Sequence, residues 1–73
     1  MKHKYKIGTI LKAKNNLPHK DVKMGEIVEA KVVFVEEFEY SGRKDFDYTL
    51  EHESGCRIYM KEKQLEMLNE FNL

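Results

Sequence analysis

Between Asp45 and His52 the chain alternates strictly. Phe46, Tyr48 and Leu50 fall on one parity, and Asp45, Asp47, Thr49 and Glu51 on the other. Successive side chains of an extended strand point to opposite faces, so this run specifies a strand with one core face and one wet face. A lone strand buries nothing. Its neighbours must come from the flanking residues of a 73-residue chain. Ser41-Gly42-Arg43-Lys44 before it and Glu53-Ser54-Gly55 after it are short turns. Beyond the second turn, Cys56, Ile58 and Met60 alternate with Arg57 and Tyr59. Before the first, Glu26 to Val35 reads as extended. Residues 26–60 are therefore expected to form a three-stranded antiparallel meander. Val32-Val33-Phe34-Val35 interrupts the alternation. Such a run needs partial cover on both faces or a bulge that shifts the phase.

Two upstream segments share a frame. Lys6-Ile7-Gly8-Thr9-Ile10-Leu11-Lys12-Ala13-Lys14 aligns with Lys23-Met24-Gly25-Glu26-Ile27-Val28-Glu29-Ala30-Lys31. Two copies seventeen residues apart make no solenoid. They fit two strands approached through the same glycine turn, with Leu11 and Ala13 on one face and Val28 and Ala30 on one face. Between them Asn15 to Asp21, with Pro18, is a loop. The C-terminal stretch reads in two ways. Lys61-Glu62-Lys63-Gln64 is a 3₁₀ turn followed by a closing strand Leu65–Leu68, or Lys61 to Leu73 holds a short helix with Leu65/Leu68 and Met67/Phe71 at helical spacing. The closing strand is favoured because it covers an open edge.

Hydrophobic residues make up 41% of the chain and charged residues 36%, which suits one small domain with a packed interior, residues 1–73. There is no apolar run long enough for a transmembrane helix, and no apolar stretch behind the basic start, so neither a membrane span nor a secretory signal is expected. With Cys56 alone, no internal disulfide forms, which points to a reducing cytoplasm. The excess of Lys, Glu and Asn over Ala, Pro and Gly is the bias of an AT-rich coding sequence, as in a low-GC bacterium or its phage.

Gly25-Glu26-Ile27-Val28-Glu29-Ala30, then Tyr48-Thr49-Leu50-Glu51 with Gly55, Ile58 and the ending Glu62-x-x-Leu65-Glu66 make the chain resemble small SH3-like barrels of bacterial and phage type over roughly residues 5–70. The resemblance implies an all-β, five-stranded barrel with a 3₁₀ turn or short helix near the C-terminus. The sequence lacks the glycine spacing of the KOW type and the paired aromatics of eukaryotic SH3 domains. It contains no Trp, which argues against recognition of proline-rich peptides.

The sequence carries no complete catalytic or metal-binding motif. His52 and Cys56 lie four apart, with His19 and His3 elsewhere, but a structural zinc site needs four ligands in close pairs. Ser54, His52 and a carboxylate have no nucleophile elbow, and the isolated glycines make no phosphate loop. Neither a catalytic residue nor a metal or other cofactor is expected.

Charge is zero in total but uneven, with a net +6 over residues 1–23 and −5 over residues 36–53. Phe38 and Tyr40 precede the Ser41–Lys44 turn, Phe46 and Tyr48 follow it, and Arg43 and Lys44 sit between. Cross-strand pairing explains aromatics in a hairpin. Exposed aromatics beside Arg and carboxylates also make protein contacts. The expected function is a non-enzymatic protein-interaction module, a phage or mobile-element accessory or inhibitor acting on a host protein. Phe38, Tyr40, Arg43, Lys44, Asp45, Asp47 and Tyr59 are its contact residues. The alternative is a weak nucleic-acid binder using Lys4, Lys6, Lys12 and Lys14, which share a parity if residues 2–14 form one strand. A pI near 6.8 speaks against a dedicated nucleic-acid binder. The expected assembly is a monomer or an edge-paired homodimer, without a membrane partner.

Overall fold

A computed structural model of the protein describes residues 3–71. The expected meander forms, with one more strand in front of it. Strands β1 (Ile10–Lys14), β2 (Ile27–Tyr40), β3 (Arg43–Glu51) and β4 (Arg57–Lys61) lie in chain order in one antiparallel sheet. One turn of α-helix, α1 (Glu62–Glu66), follows and continues as a wider π-helical turn, Met67–Phe71.

The repeated frame is a repeated turn. Thr9 N–H donates to the Lys6 carbonyl at 3.1 Å, and Glu26 N–H to the Lys23 carbonyl at 3.0 Å. Gly8 and Gly25 occupy the third position of these turns with φ of 98° and 88°. That conformation is required of a type II turn and is cheap only for glycine. The strands leaving the two turns pair with each other, Leu11 opposite Ala30 and Ala13 opposite Val28, and both alanines are buried. The loop between them is organised by Asn15, which is 0% exposed. Its amide donates to the Leu17 carbonyl at 2.7 Å and the Val22 carbonyl at 3.1 Å, and its oxygen accepts the Leu17 N–H. Val22 is thereby held in the core.

The apolar run in β2 resolves as a bulge. Val32 lies opposite Leu50, but Phe34, not Val33, lies opposite Thr49. With unbroken alternation Phe34 would follow Val32 into the core. The extra residue turns Phe34 outward and Val35 inward. Beyond Glu36 and Asp47, β2 and β3 lose their other neighbours, because β1 reaches only residues 27–31 of β2 and β4 only residues 47–51 of β3. Residues 37–40 and 43–46 therefore project as a two-stranded arm. Ser41 and Gly42 close it with φ of 52° and 75°, the paired positive values of a type I′ hairpin turn.

Val32, Tyr48, Leu50, Ile58 and Met60 fill the inner face of the sheet. Leu65 of α1 packs on them from one side and Tyr5 of the N-terminal segment adds partial cover. Burial of this set supplies the stabilisation of the domain, at about 1.5–3 kcal/mol for each large side chain.

Two expectations fail together. Among the described residues the sheet has four strands and is open, so it is neither five-stranded nor a closed barrel. The C-terminal stretch forms the short helix of its second reading, not the favoured turn and closing strand. Glu62-Lys63-Gln64-Leu65-Glu66 are strong helix formers, and Lys61 N–H donates back to Gln64 Oε1 at 2.9 Å. Asparagine side chains do the work expected of the missing strand. The Asn69 amide accepts the Lys12 N–H at 2.9 Å and donates to the Lys12 carbonyl at 3.0 Å, which caps the outer edge of β1. Asn16 Nδ2 donates to the Tyr59 carbonyl of β4 at 3.1 Å. Both sheet edges are blunted without a backbone ladder.

Candidate functional site

Directly opposed residues of antiparallel strands share a face, so the register maps the outer face of β2–β3–β4 row by row. Phe34, Thr49 and Tyr59 form one row across the three strands. Glu36, Asp47 and Lys61 form the next, and Phe38 with Asp45 follows on the arm. Among the described residues no strand or helix covers this face, and only Asn16 and Gln64 reach its border. Phe34 is 54% exposed, Tyr59 49% and Phe38 39%. Adjacent strands lie about 4.8 Å apart, which sets the Phe34 and Tyr59 backbones about 10 Å from each other with only Thr49 between them. A depression of about 400 Å³ lies there, walled by Phe34 and Tyr59 and bordered by Glu36, Asp47 and Lys61.

The electrostatics of that border are unbalanced. Glu36 lies directly opposite Asp47, a like-charge pair of the kind that destabilises a sheet. Asp47 Oδ1 is shielded from solvent and has no hydrogen-bond donor. Its nearest cation is Lys61 Nζ at 3.8 Å, too far for a hydrogen bond.

The structure divides the residues expected to make a contact. Phe38, Asp45, Asp47 and Tyr59 share the outer face with exposed Arg43 at its tip. Lys44 lies on the other face, 3.4 Å from Glu37. Tyr40 is opposite Arg43 in register, and its side chain lies outside the described residues. Phe46 and Tyr48 belong to the core. Sequence reasoning missed Phe34, and the signal was the broken alternation that marks the bulge.

The lysine row does not form. The Lys6–Thr9 turn interrupts the chain, so residues 2–14 are not one strand, and Lys2 lies outside the described residues. Lys12 and Lys14 are exposed on β1, and Lys6 is exposed beside the turn. Lys4 is engaged elsewhere. Its Nζ lies 2.8 Å from Glu66 Oε2 and 2.8 Å from Glu70 Oε2. Its N–H donates to Glu62 at 2.8 Å and to the Tyr48 hydroxyl at 3.1 Å. The Tyr48 hydroxyl donates to Glu62, and that of Tyr5 to Glu70. Glu62, Glu66 and Glu70 are spaced four apart and form a carboxylate ladder that clasps the N-terminal segment to the C-terminal helix. The contacts leave a titration signature. Hydrogen bonds to Glu66 and Glu70 raise Lys4, and the Lys4 and Tyr5 donors hold Glu70 below the usual carboxylate range. Burial, then the Glu62 bond, pushes Tyr48 up to about 12.

The remaining reactive side chains are occupied locally. His52 Nδ1 bonds Ser54 Oγ at 2.8 Å within the turn. Buried Cys56 faces Asn15, and burial raises its thiol above the ordinary value. Among the described residues no group of three His, Cys, Asp or Glu side chains is placed to hold a metal ion, and no helix is long and apolar enough to cross a membrane. No family model, no curated protein and no solved structure matches this chain.

Proposed function

We propose that the protein is a non-enzymatic interaction domain whose outer sheet face docks on a basic protein surface. One observation carries the reading. Phe34, Phe38 and Tyr59 stand exposed on one face, in neighbouring registers, around Glu36, Asp45 and Asp47. Exposed aromatics gathered on one patch mark contact surfaces, whereas scattered ones do not. The flanking carboxylates favour a positively charged partner. The reverse side of the arm carries Glu37 and Glu39 against Lys44, which leaves it weakly acidic. The proposal sets the domain in the cytoplasm of a low-GC bacterium or of a cell infected by its phage, acting on a host protein. It treats the chain as a monomer, since Asn69 and Asn16 blunt the β1 and β4 edges and Glu37 and Glu39 repel a second copy along the arm.

The test is capture from a low-GC bacterial lysate by wild type and by a Phe34→Ser, Phe38→Ser, Tyr59→Ser variant, each with and without nuclease. The expected result is a protein retained by wild type after nuclease and lost by the variant, with equal melting temperatures. Equal recovery by both proteins rejects the surface. Recovery that disappears with nuclease transfers the reading to nucleic acid and to Lys6, Lys12 and Lys14.

A further inference from the structure

We infer that the depression over Thr49 is the seat of a single arginine side chain from the partner. This inference rests on the reading of the outer face as a protein contact and names the group that face recognises. Three features of the depression agree. Phe34 and Tyr59 flank it with Thr49, a small residue, as its floor. A planar guanidinium stacks on aromatic faces, and rings set about 10 Å apart leave room for it to enter between them. Glu36 and Asp47 oppose each other at one end, and their mutual repulsion is relieved by any cation that enters. A guanidinium forks onto two carboxylate oxygens, and the Asp47 oxygen that lacks a donor is one of them.

Lys61 is the internal competitor. Its ammonium rests 3.8 Å from Asp47 Oδ1, close enough to attract but too far to satisfy it, and its side chain is 59% exposed. It is free to swing aside. A compact ammonium matches one oxygen at a time, so the site prefers the broader guanidinium to its own lysine.

The test uses amide spectra of the ¹⁵N-labelled full chain titrated with Nα-acetyl-arginine amide, and in parallel with the neutral isostere Nα-acetyl-citrulline amide. The arginine compound is expected to shift Phe34, Glu36, Asp47, Thr49 and Tyr59 with millimolar affinity, and citrulline is expected to shift none of them. Thr49→Phe fills the seat with a good strand former and is expected to abolish the shifts while the remaining spectrum stays native. Lys61→Met removes the competitor and is expected to tighten binding about two- to fivefold, the scale of one exposed ion pair. A purely structural role for Lys61 predicts no tightening. Equal shifts with citrulline, shifts confined to other residues, or unchanged binding in Thr49→Phe overturn the inference. The two readings fail separately. If the seat does not discriminate arginine but the aromatic variant still loses its captured protein, the contact surface stands without this anchor. If capture is unaffected but the seat discriminates, the depression is a cation site and the surface reading falls.

Discussion

The two faces of β2–β3–β4 are made by the same strands and are both rich in aromatic residues, yet they meet opposite fates. The inner face carries Phe46 and Tyr48 with Leu50, Ile58 and Met60, and all are buried. The outer face carries Phe34, Phe38 and Tyr59, and none is. Residue type does not explain the difference. Cover does. The chain has one short helix and one N-terminal segment to spend, and both lie on the inner side. Leu65 inserts there, and the Lys4–Glu66–Glu70 clasp holds the two ends together over Tyr48. Among the described residues no further element lies on the second side. The bulge at Val33 then sends Phe34 to that uncovered side, against the simplest continuation of the strand.

The sharpest way to break the comparison is to truncate one large residue on each face. Leu50→Ala opens a cavity beneath Tyr48 and Ile58 and is expected to cost about 2–5 kcal/mol, much of the stability of a domain this small. Phe34→Ala removes a larger side chain from the outer face and is expected to change stability by less than about 0.5 kcal/mol. Urea denaturation of both proteins measures the contrast. Equal losses would mean that the outer face is core after all.

Asn15→Ala tests whether polar burial holds the inner side as firmly as apolar burial. It leaves the Leu17 and Val22 carbonyls without their donor, the second of them buried, at about 1–3 kcal/mol. Protection of the loop amides against hydrogen exchange should fall with it, Val22 first. An unchanged exchange pattern would show that the turn at Lys23–Glu26 holds the loop by itself.

How much of this was legible depends on how local the cause is. The strand 45–52 was legible because alternation is a property of eight consecutive residues. The Lys6 and Lys23 turns were legible because a type II turn is written in four residues, and the two copies reinforce each other. The helix was not. Residues 61–71 are too few for periodicity to decide, and what stops them from forming a strand is Asn69 capping Lys12, a contact across 57 positions. The clasp was hidden for the same reason. Lys4 counted as a free cation until the fold placed Glu66 and Glu70 beside it. Of the candidate surface, Asp45, Asp47 and Tyr59 followed from parity. Phe38 followed from its place near the hairpin tip, and Phe34, on the same parity as Phe38, required the bulge to be resolved rather than left as one of two explanations.

The clasp gives a pH-dependent edge to the comparison, since it closes only the inner face. Glu70 is held below the usual carboxylate range, so its contribution is fully present above the unfolded value of about 4.3 and is lost as pH falls through the lower folded value. Wild type and Glu70→Gln are therefore expected to differ in urea midpoint at pH 6 and to converge below about pH 4. The outer aromatics should respond to acid identically in wild type and in Glu70→Gln, and a Tyr59 response that the substitution alters would break the separation of the two faces.

The smallest expected effect is the most direct statement about what the outer face is for. Glu36 opposes Asp47, and among the described residues the cation paired with Asp47 is Lys61, at 3.8 Å. A surface shaped by stability alone would not keep that arrangement, because like charges in directly opposed positions cost about 0.2–1 kcal/mol. Glu36→Gln keeps the shape and removes the repulsion. It is expected to stabilise the domain by an amount in that range at low ionic strength, with the gain fading as salt screens the pair. The same substitution should weaken the response to Nα-acetyl-arginine amide, because the guanidinium loses one of its two acceptors. Stability and recognition then move in opposite directions from one atom change. If Glu36→Gln instead leaves stability and arginine response both unchanged, the carboxylate pair is ordinary solvated surface, and the two faces differ only in cover.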